Sequence, residues 1–388
     1  MNILQLHIDP VYPPTNGGET RVWKTAEHLS SFGEVWLACP WQHDLELPGG
    51  VRAVPLDTVL LRRKALRIYA WNALQAFDGN HPLNRLLTRA VLRDLHRQVP
   101  KVDVVVCETL QMWGAAQQFA ERFDAKLLLT EHNADFDNLR QNLAGTPVPA
   151  PIADRAVRNL REYERQAVSR ADAVVFQSES DRELFAGSWM CARVIPNGCD
   201  VDEIRSAGDP KQLREDLGIP SDTPVCLYVG SFDYGPNRDA AHFIARELAP
   251  AFPEVTFLLV GRDPPQLDRE NVLSPGFVDD LPSALALSDI ALCPLSTGSG
   301  TKLKMMDYLA AGLPIVTTTV GAAGISIEDG ESALVRDDAD GMREAIATLL
   351  SSEATRDRLS SNAAALGTQY DWEQLLSGYD SLLPSDDD

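Results

Sequence analysis

The segment from Ile290 to Thr319 constrains the fold of this chain more than any other. An apolar strand pattern, Ile290 to Leu295, leads into a loop of small residues, and Lys302 to Ala311 has helical spacing. A glycine and a proline end that helix, and Ile315 to Thr319 follows as a second apolar strand. Two buried strands joined through a helix are parallel neighbours in a right-handed crossover. The segment therefore predicts a parallel sheet covered by helices.

The loop inside this segment, residues 296–301, favours an anion. Backbone N–H groups at the start of a helix have no partner within the helix, and the helix dipole attracts negative charge there. Lys302 and Lys304 add positive charge at the same place, and Asp307 follows on the same helix as an acceptor for hydroxyl groups. A phosphate site beside an acceptor of hydroxyls is what a nucleotide needs.

Strand and helix patterns alternate on both sides of that segment, which predicts an α/β chain with two doubly wound parallel sheets. The strands are predicted at Asn2–Ile8, Val35–Cys39, Val51–Leu56, Val102–Cys107, Lys126–Glu131, Val174–Gln177 and Arg193–Ile195, then at Val225–Val229, Thr256–Val260, Ile290–Leu295, Ile315–Thr318 and Ala333–Val335. The turn VIPNGCD separates the two series. We predict domains of residues 1–198 and 199–369, and in 370–388 a last helix that returns to the first domain, with an acidic tail.

Composition excludes several classes of protein. The chain has 388 residues, of which 44% are hydrophobic and 23% charged, as in a globular protein of two domains. Its net charge of −21 argues against general nucleic-acid binding, and the excess of Asp suggests a high-salt cytoplasm. No apolar run is long enough to span a membrane and no signal peptide is recognised, so we expect a cytoplasmic protein. Six scattered cysteines without a CxxC pair predict buried thiols rather than a disulfide or zinc framework.

Residues 60–97 are basic inside this acidic chain. Their charges fall in two groups, Arg62, Arg63, Lys64 and Arg67, and then Arg85, Arg89, Arg93 and Arg97. Large apolar residues are interleaved with the first group, and the second group recurs every fourth position on one helix face. The segment fits an anionic membrane surface or a lipid-phosphate acceptor, and equally a solvated helix face paired with acidic neighbours. Both interpretations stay open.

Polar residues follow several predicted strands, at the edge where doubly wound sheets bind ligands. They include Gly17 and Gly18 in the first loop, His132 after a strand of the first half, and Arg262 after a strand of the second half. Each has a simpler explanation: a turn for the glycines, a structural cap for His132 and a surface ion pair for Arg262. Asp200 and Asp202 resemble a DxD metal site, but turn and capping chemistry is the expectation for them.

Taken in order, the motifs resemble those of the retaining glycosyltransferases of family 4, over nearly the whole chain. The matching stretches are PPTNGGETR, EHN, VIPNGCD, VGSFDYGPNRDA, VGRDPP, GFVDDL and GSGTKLKMMDYLAAGLPIVTT. The resemblance implies a GT-B fold, with two Rossmann-like domains that face a central cleft. It also implies transfer of a sugar from a UDP- or GDP-sugar with retention at the anomeric carbon. The donor would bind the second domain and the acceptor the first, and no cofactor or metal is expected.

The resemblance also implies roles for single residues. Lys304 would hold the diphosphate with Arg262 and Lys302, and would stabilise the leaving phosphate together with Arg262. Asp307, where the family has glutamate, would accept the ribose hydroxyls, and His132 would lie beside the donor's sugar and phosphate. Further donor contacts would come from Gly17, Gly18, Ser231, Asn237, Ser299, Gly300 and Thr301. Ser299 replaces the family's sugar-contacting glutamate, and Ser231 and Asn237 replace an Arg and a Lys, so the donor's identity stays open.

The expected function is thus a retaining glycosyltransferase with a lipid-linked, glycan or polysaccharide acceptor in cell-envelope or glycoprotein glycan assembly. It would work in the cytoplasm or on the cytoplasmic face of a membrane. A nucleotide-sugar epimerase on the same architecture is the first alternative, and it would form product without an acceptor. An inactive nucleotide-sugar binder is the second, because Ser299 and Asp307 depart from the family pattern. A pair of NAD-binding domains is disfavoured, since no GxGxxG follows the first strand.

Overall fold

The computed structural model describes residues 1–41, 45–57, 82–144, 146–206, 208–298 and 300–384. Its chain contacts divide it into two compact units. The first unit is Met1–Ile195 together with Leu376–Asp388, and the second unit is Pro196–Leu375. Each unit is built on one parallel sheet, which confirms the predicted α/β class.

The sheet of the first unit has, among the described residues, seven parallel strands in the order β3-β2-β1-β4-β5-β6-β7. They are β1 (Asn2–Leu6), β2 (Glu34–Cys39), β3 (Val51–Pro55), β4 (Val104–Cys107), β5 (Lys126–Glu131), β6 (Ala173–Phe176) and β7 (Ala192–Val194). The order reverses between β1 and β4, and in such sheets ligands bind beyond the carboxyl ends of the strands at that point. All residues of β4 and β6 are buried, because helices cover the sheet.

The helices of the first unit connect these strands. They are α1 (Gly17–Leu29), α2 (Pro82–Gln98), α3 (Trp113–Phe123), α4 (Asp135–Leu143), α5 (Ala150–Arg170) and α6 (Glu179–Leu184). Gly17 and Gly18 were predicted to precede α1, and that is wrong, since they form its first turn. The reason is Asn16, the residue before the glycines. Its side chain accepts a hydrogen bond from the Glu19 N–H at 3.1 Å and so caps the helix, which then begins at Gly17.

The sheet of the second unit has six parallel strands in the described part of the chain, in the order β10-β9-β8-β11-β12-β13. They are β8 (Val225–Val229), β9 (Thr256–Val260), β10 (Val272–Gly276), β11 (Ile290–Cys293), β12 (Ile315–Thr317) and β13 (Leu334–Val335). The helices are α7 (Val201–Arg205), α8 (Pro210–Asp216), α9 (Gly235–Phe243), α10 (Leu281–Ala286), α11 (Leu303–Ala310), α12 (Ala339–Ser351), α13 (Glu353–Gly367) and α14 (Trp372–Leu376).

The crossover predicted from the sequence is β11–α11–β12. β11 pairs in parallel with β12, with Ala291 opposite Ile315, as the apolar pattern indicated. Gly312 ends α11 at a φ of 65°, and a Cβ at that position would come 3.2 Å from the Ala364 Cβ. The helix begins at Leu303 rather than at Lys302, because Lys302 is still extended at φ −98° and ψ 108°.

Three further elements differ from the prediction. β10 was not predicted, because its sequence, VLSPG, is short and contains proline. α13 was not predicted, because its polar and apolar residues do not separate clearly onto two helix faces. The last helix was predicted to run from Trp372 to Leu383. It ends at Leu376 and continues as a 3₁₀ segment, Ser377–Leu382, because Ser377 and Gly378 are poor helix formers.

Cysteine usage agrees with the expectation from the sequence. Five of the six cysteines are buried, Cys191 is half-buried, and all six carry thiols. Among the described residues, no helix combines the length and the hydrophobicity that a membrane span requires.

Candidate functional site

Lys304 lies on α11 in the second unit and is held by two neutral oxygens. Its Nζ donates to the hydroxyl of Tyr228 at 2.8 Å and to Oδ1 of Asn237 at 2.9 Å. The ammonium also lies 4.0 Å from the centroid of the Tyr228 ring, a cation–π distance. Asn237 is itself fixed, since it accepts from the Tyr228 hydroxyl at 2.7 Å and donates to the Ser231 carbonyl at 2.8 Å. The predicted donor residues Lys304, Asn237 and Ser231 therefore lie together.

The charge of Lys304 is not neutralised by a carboxylate in the described part of the chain. Within the described residues, no carboxylate lies within ion-pair distance of its Nζ. The pKa of Lys304 is lowered to about 8, mainly by burial and also by the nearby charge of Lys302, while Cys293 and Asp307 act in the opposite direction. A half-buried cation without an anionic partner is costly, and a bound anion would remove that cost.

Two glycines at the strand ends make room for this arrangement. A Cβ on Gly230, directly after β8, would lie 3.0 Å from the Lys304 Nζ. Gly261, directly after β9, has a φ of 144°, and a Cβ there would lie 1.8 Å from the Gly230 carbonyl oxygen. Arg262 comes next, and its carbonyl accepts from the Phe232 N–H at 2.9 Å. The ends of β8 and β9 thus place the backbone of Arg262 against the loop that follows Gly230.

The small-residue loop before α11 depends on two further glycines. Gly298 and Gly300 have φ values of 123° and 67°, which favour glycine strongly over other residues. Thr301 accepts a hydrogen bond at its hydroxyl from the Asn197 amide at 2.7 Å, and Lys302 donates from Nζ to the Gly300 carbonyl. Ser299 lies outside the described residues, so its donor contact stays a prediction.

Asp307 lies one turn after Lys304 on the same helix and is half-buried. The pKa of this carboxyl is raised to about 7, mainly by burial and also by the charges of Asp200 and Glu203, and Lys304 offsets part of the effect. From the residues that the structure describes, its oxygens accept no hydrogen bond. An acceptor without protein donors, on the same helix as a cation without a protein anion, is consistent with the ribose role predicted for Asp307.

His132 belongs to a separate network in the first unit, at the carboxyl end of β5. Its Nε2 lies 3.0 Å from a carboxylate oxygen of Glu108, and its Nδ1 lies 2.9 Å from Nε2 of Gln177. These contacts assign an Nε2–H donor to Glu108 and an Nδ1 acceptor for Gln177. Because both ring nitrogens have protein partners, the network fixes the orientation of the ring. The catalytic role of His132 stays a prediction.

Glu108 carries the negative charge of this network. It is fully buried directly after β4, and it accepts from the Gln5 amide at 2.6 Å. Burial acts to raise the pKa of Glu108, but the hydrogen bond and charge of His132, with Gln5 and Arg21, outweigh it, and the pKa is lowered. Sequence reasoning missed Glu108 and Gln177. Each is the first polar residue after an all-apolar strand, and that pattern could have found them.

Replacing Glu108 with Gln is expected to cost about 1–3 kcal/mol of unfolding free energy at pH 7, because a buried charge-assisted hydrogen bond is lost. The pKa of Glu108 is lowered in the folded state, so its stabilisation is present above 4.5, the ordinary value, and is lost as the pH falls below it. Urea unfolding at pH 7 and at lower pH checks this. Glu121→Gln, at an exposed position of α3, is the matched control. An equal cost for both variants would contradict the assignment.

A second group of buried carboxyls lies beside this network. Glu164 on α5 accepts from the N–H groups of Asp135 and Phe136 at 2.7 and 3.1 Å, and so caps α4. Burial and then the charge of Asp135 raise the pKa of Glu164 to about 8, and burial raises the pKa of Asp135 to about 6. The pKa of Glu131 is raised as well, by burial and then by the charge of Glu164. At neutral pH the group holds protons that the unfolded chain releases.

Replacing Glu164 with Gln should therefore remove a pH-dependent loss of stability. A raised carboxyl pKa means that the wild-type protein loses stability as the pH rises from 4.5 through about 8. The amide of the variant does not ionise, and its oxygen can still accept one of the two N–H bonds that cap α4. We expect the variant to gain about 1–3 kcal/mol on the wild type at pH 9 and little at pH 5. Urea unfolding across this range is the measurement, with Glu162→Gln at an exposed position of α5 as control. A difference independent of pH would refute it.

The remaining predicted residues are the two basic groups and the DxD pattern. Arg62, Arg63, Lys64 and Arg67 lie outside the described residues, so their membrane or acceptor role stays a prediction. In the second basic group, Arg93 pairs with Asp94 at 2.9 Å.

Asp200 lies at the N-cap position of α7, but its side chain makes no capping bond. The Val201 N–H instead lies 3.4 Å from the Asp371 carboxylate. Among the described residues, no group of three or more metal-ligating side chains is placed to hold a metal.

Two family models match this chain. "Glycosyltransferase Family 4" matches residues 15–203, and "Glycosyl transferases group 1" matches residues 223–352. A phosphatidyl-myo-inositol mannosyltransferase of Mycolicibacterium smegmatis is 28% identical over 205 residues, which are 48% of this chain and 51% of that protein. The chain thus spans about half the length of this relative. A D-inositol 3-phosphate glycosyltransferase of Geodermatophilus obscurus is 27% identical over 332 residues, 76% of this chain and 69% of that protein.

Solved structures agree on the fold. The Anabaena protein HepE, crystallised with UDP and glucose, matches with a TM-score of 0.72 at 16% identity, over 98% of this chain and 99% of that one. Sucrose-phosphate synthase from Thermosynechococcus elongatus matches with a TM-score of 0.76 at 18% identity, over 98% of both chains. Two parallel-sheet, Rossmann-like units and two family models along most of the sequence lead to one conclusion: the chain belongs to the glycosyltransferases of family 4 and has the GT-B fold.

Proposed function

We propose that this glycosyltransferase takes a sugar from a nucleoside diphosphate sugar, with retention at the anomeric carbon, and transfers it to a lipid-linked or glycan acceptor. The observation that carries the proposal is the environment of Lys304. Its ammonium is oriented by Tyr228 and Asn237 and has no anionic partner among the described residues. A cation held in this way is prepared for a diphosphate, which it can bind without first breaking an ion pair.

The comparisons support the substrate classes. The HepE structure was solved with UDP and glucose, which favours a uridine nucleotide in this chain, with a guanosine nucleotide as the second choice. The relatives named above are inositol-phosphate and phosphatidylinositol enzymes, which favours an acceptor that carries a phosphate. The cell-envelope or glycoprotein pathway expected from the sequence belongs to the same proposal.

In the proposed reaction the diphosphate lies against Lys304, with Arg262 and Lys302 as further cations, and the ribose hydroxyls donate to Asp307. The bond from the anomeric carbon to the phosphate oxygen breaks while the acceptor oxygen bonds to that carbon on the same face. The acceptor's proton passes to the departing phosphate oxygen, so no enzyme nucleophile is needed. Lys304 and Arg262 stabilise the negative charge that develops on the diphosphate. These cations let the reaction proceed without a resident metal or cofactor.

The test is an incubation with a panel of UDP- and GDP-sugars, with and without acceptors. An inositol phosphate, phosphatidylinositol vesicles and a polyprenyl-phosphate sugar are suitable acceptors. We expect product only when donor and acceptor are both present, and NMR coupling constants should show the donor's anomeric configuration in the product. A changed sugar nucleotide without acceptor would instead indicate an epimerase. Tight nucleotide binding without turnover on any acceptor would indicate a binding protein.

Contact with an anionic membrane surface is part of the proposal, for a protein at the cytoplasmic face. It rests on the sequence of residues 60–71, where three arginines and a lysine are interleaved with large apolar side chains. Changing Arg62, Arg63, Lys64 and Arg67 together to Gln should reduce sedimentation with phosphatidylglycerol vesicles. Unchanged sedimentation would remove the membrane from the account and leave the donor assignment intact.

A further inference from the structure

A polar cavity of about 720 Å³ lies in the first unit, among the helices α2, α3 and α5. Its walls come from the first half of α2, the first two turns of α3 and the second half of α5. None of the residues assigned above to the donor or to the His132 network lines it. Its volume lies within the range of about 300–1,000 Å³ that is typical of small-molecule sites.

The cavity carries positive charge that no described residue pairs with. Arg85 and Arg89, one turn apart on α2, and Arg170, the last residue of α5, line it against a single lining carboxylate, Glu162. Among the described residues, these three guanidinium groups make no hydrogen bond or ion pair. Arg93, on the next turn of α2, does pair with Asp94. In a chain of net charge −21, three arginines around one cavity, unpaired within the part of the chain that the structure describes, favour an anionic ligand.

The neutral part of the lining suits hydroxyl groups and a sugar ring. The amides of Gln118 and Asn159 make no hydrogen bond within the described residues, and each offers both donors and an acceptor. Two aromatic residues also line it, the half-buried Tyr163 and Trp113, which is almost fully buried. Aromatic side chains with amides beside them suit the C–H and O–H groups of a saccharide.

We propose that this cavity binds an anionic saccharide, with its carboxylate or phosphate on Arg85, Arg89 and Arg170 and its hydroxyls on Gln118 and Asn159. The site takes part in recognition and not in the transfer step. The inference does not depend on the proposed function, because it concerns the first unit alone and its test measures binding without turnover.

Calorimetric titration of the full chain tests this, with four probes: tetragalacturonate, glucose 6-phosphate, neutral maltotetraose and inorganic phosphate. We expect at least one of the two anionic saccharides to bind one to one, and which of them binds shows whether carboxylate or phosphate is preferred. Affinity should fall as salt rises from 50 to 300 mM, because exposed arginines are screened. Failure of both anionic saccharides to bind would overturn the proposal. Equal affinity for maltotetraose, or for inorganic phosphate, would also overturn it.

Variants locate the binding. The double change Arg85→Glu and Arg89→Glu should weaken the anionic saccharide at least tenfold, since two attractions become repulsions. Arg97→Glu is the matched control, because Arg97 is exposed on the same helix and does not line the cavity. An equal loss in that control would assign the effect to general surface charge and refute the site. Asn159→Ala, which keeps every charge, should cost about fivefold, the value of one neutral hydrogen bond. Binding lost in Lys304→Met would place the ligand in the donor site and contradict the proposal.

Discussion

Replacing Lys304 with Met is expected to stabilise the ligand-free protein and to abolish its stabilisation by nucleoside diphosphates. The pKa of Lys304 falls from 10.5 to about 8, so holding the charged form costs the folded state free energy at neutral pH. After a discount for partial solvent screening, we expect the variant to gain about 1–2 kcal/mol at pH 7. Tyr228 still donates to Asn237 in the variant, so no buried polar group loses its last partner.

The pH dependence of this gain has a definite sign. A lowered lysine pKa is a cost that is complete below the folded value of about 8 and disappears as the pH rises toward 10.5. The advantage of the variant over the wild type should therefore be large at pH 7 and small at pH 10, as measured by urea unfolding. Lys211→Met, at an exposed position of the second unit, should show neither effect.

The second part of this prediction concerns stabilisation by a nucleotide and uses the same proteins. A nucleoside diphosphate at one hundred times its Kd should stabilise the wild type by about 2.7 kcal/mol, and Lys304→Met by almost nothing. A variant that is less stable than the wild type would show that Lys304 serves the fold. Undiminished stabilisation by the nucleotide would show that it does not bind the diphosphate.

Replacing Asp307 with Asn is the second change with a large expected effect. A charge-assisted hydrogen bond is worth about 1.5–3 kcal/mol, so the preferred nucleotide should bind roughly 10- to 100-fold more weakly. Its 2′,3′-dideoxy analogue lacks the hydroxyls that donate to Asp307 and should bind the variant and the wild type alike. Titration of both nucleotides into both proteins measures this. If the variant weakened both nucleotides equally, Asp307 would act on the diphosphate or on the fold rather than on the ribose.

Asp307→Asn should also raise stability, with a pH dependence different from that of Lys304→Met. The pKa of Asp307 rises from 3.8 to about 7, so the wild type loses stability as the pH increases through that interval. The variant should match the wild type near pH 4 and exceed it by about 1–3 kcal/mol at pH 8. Asp202→Asn, at an exposed position of α7, is the control. A gain that is constant across this range would contradict the assigned environment.

Lys304 and Asp307 are thus expected to behave alike: replacing either one raises the stability of the ligand-free protein and weakens nucleotide binding. Each is a half-buried charged group that makes no ion pair within the described residues. Natural proteins retain such groups where a ligand supplies the missing partner, and stabilising substitutions there lose function. The two substitutions separate the diphosphate from the ribose, because only one of them should alter discrimination against the dideoxy nucleotide.

The sequence predicted the crossover around α11 because its evidence is local. Apolar strands on both sides of a helix, with Gly312 and Pro314 after it, are readable from neighbouring residues. The partners of Lys304 were not readable in this way. Tyr228 is 76 positions away and was read as part of an ordinary apolar strand, yet its hydroxyl receives the lysine's hydrogen bond. Asn237 was assigned to the donor site by the family resemblance, and its contact with Lys304 came only from the structure.

The His132 network shows the same limit. His132 was noticed because it follows a strand, but Glu108 and Gln177 are 24 and 45 positions away and become neighbours only through the order of strands in the sheet.

In the sequence, the cavity of the first unit was indicated only by the arginine spacing of α2. From the sequence, those charges fitted either an anionic membrane surface or a helix face paired with acidic neighbours. The structure pairs Arg93, leaves Arg85 and Arg89 without partners among the described residues, and places them beside α3 and α5.

The most direct test of the central claim is calorimetric titration of UDP, GDP and ADP, and of their monophosphates, into the wild-type protein and Lys304→Met at pH 7. The account predicts that one diphosphate binds the wild type one to one, that its monophosphate binds at least tenfold more weakly, and that Lys304→Met binds neither measurably. If no diphosphate bound the wild type, or if Lys304→Met bound it equally well, Lys304 would not be the diphosphate partner and the donor assignment would fail.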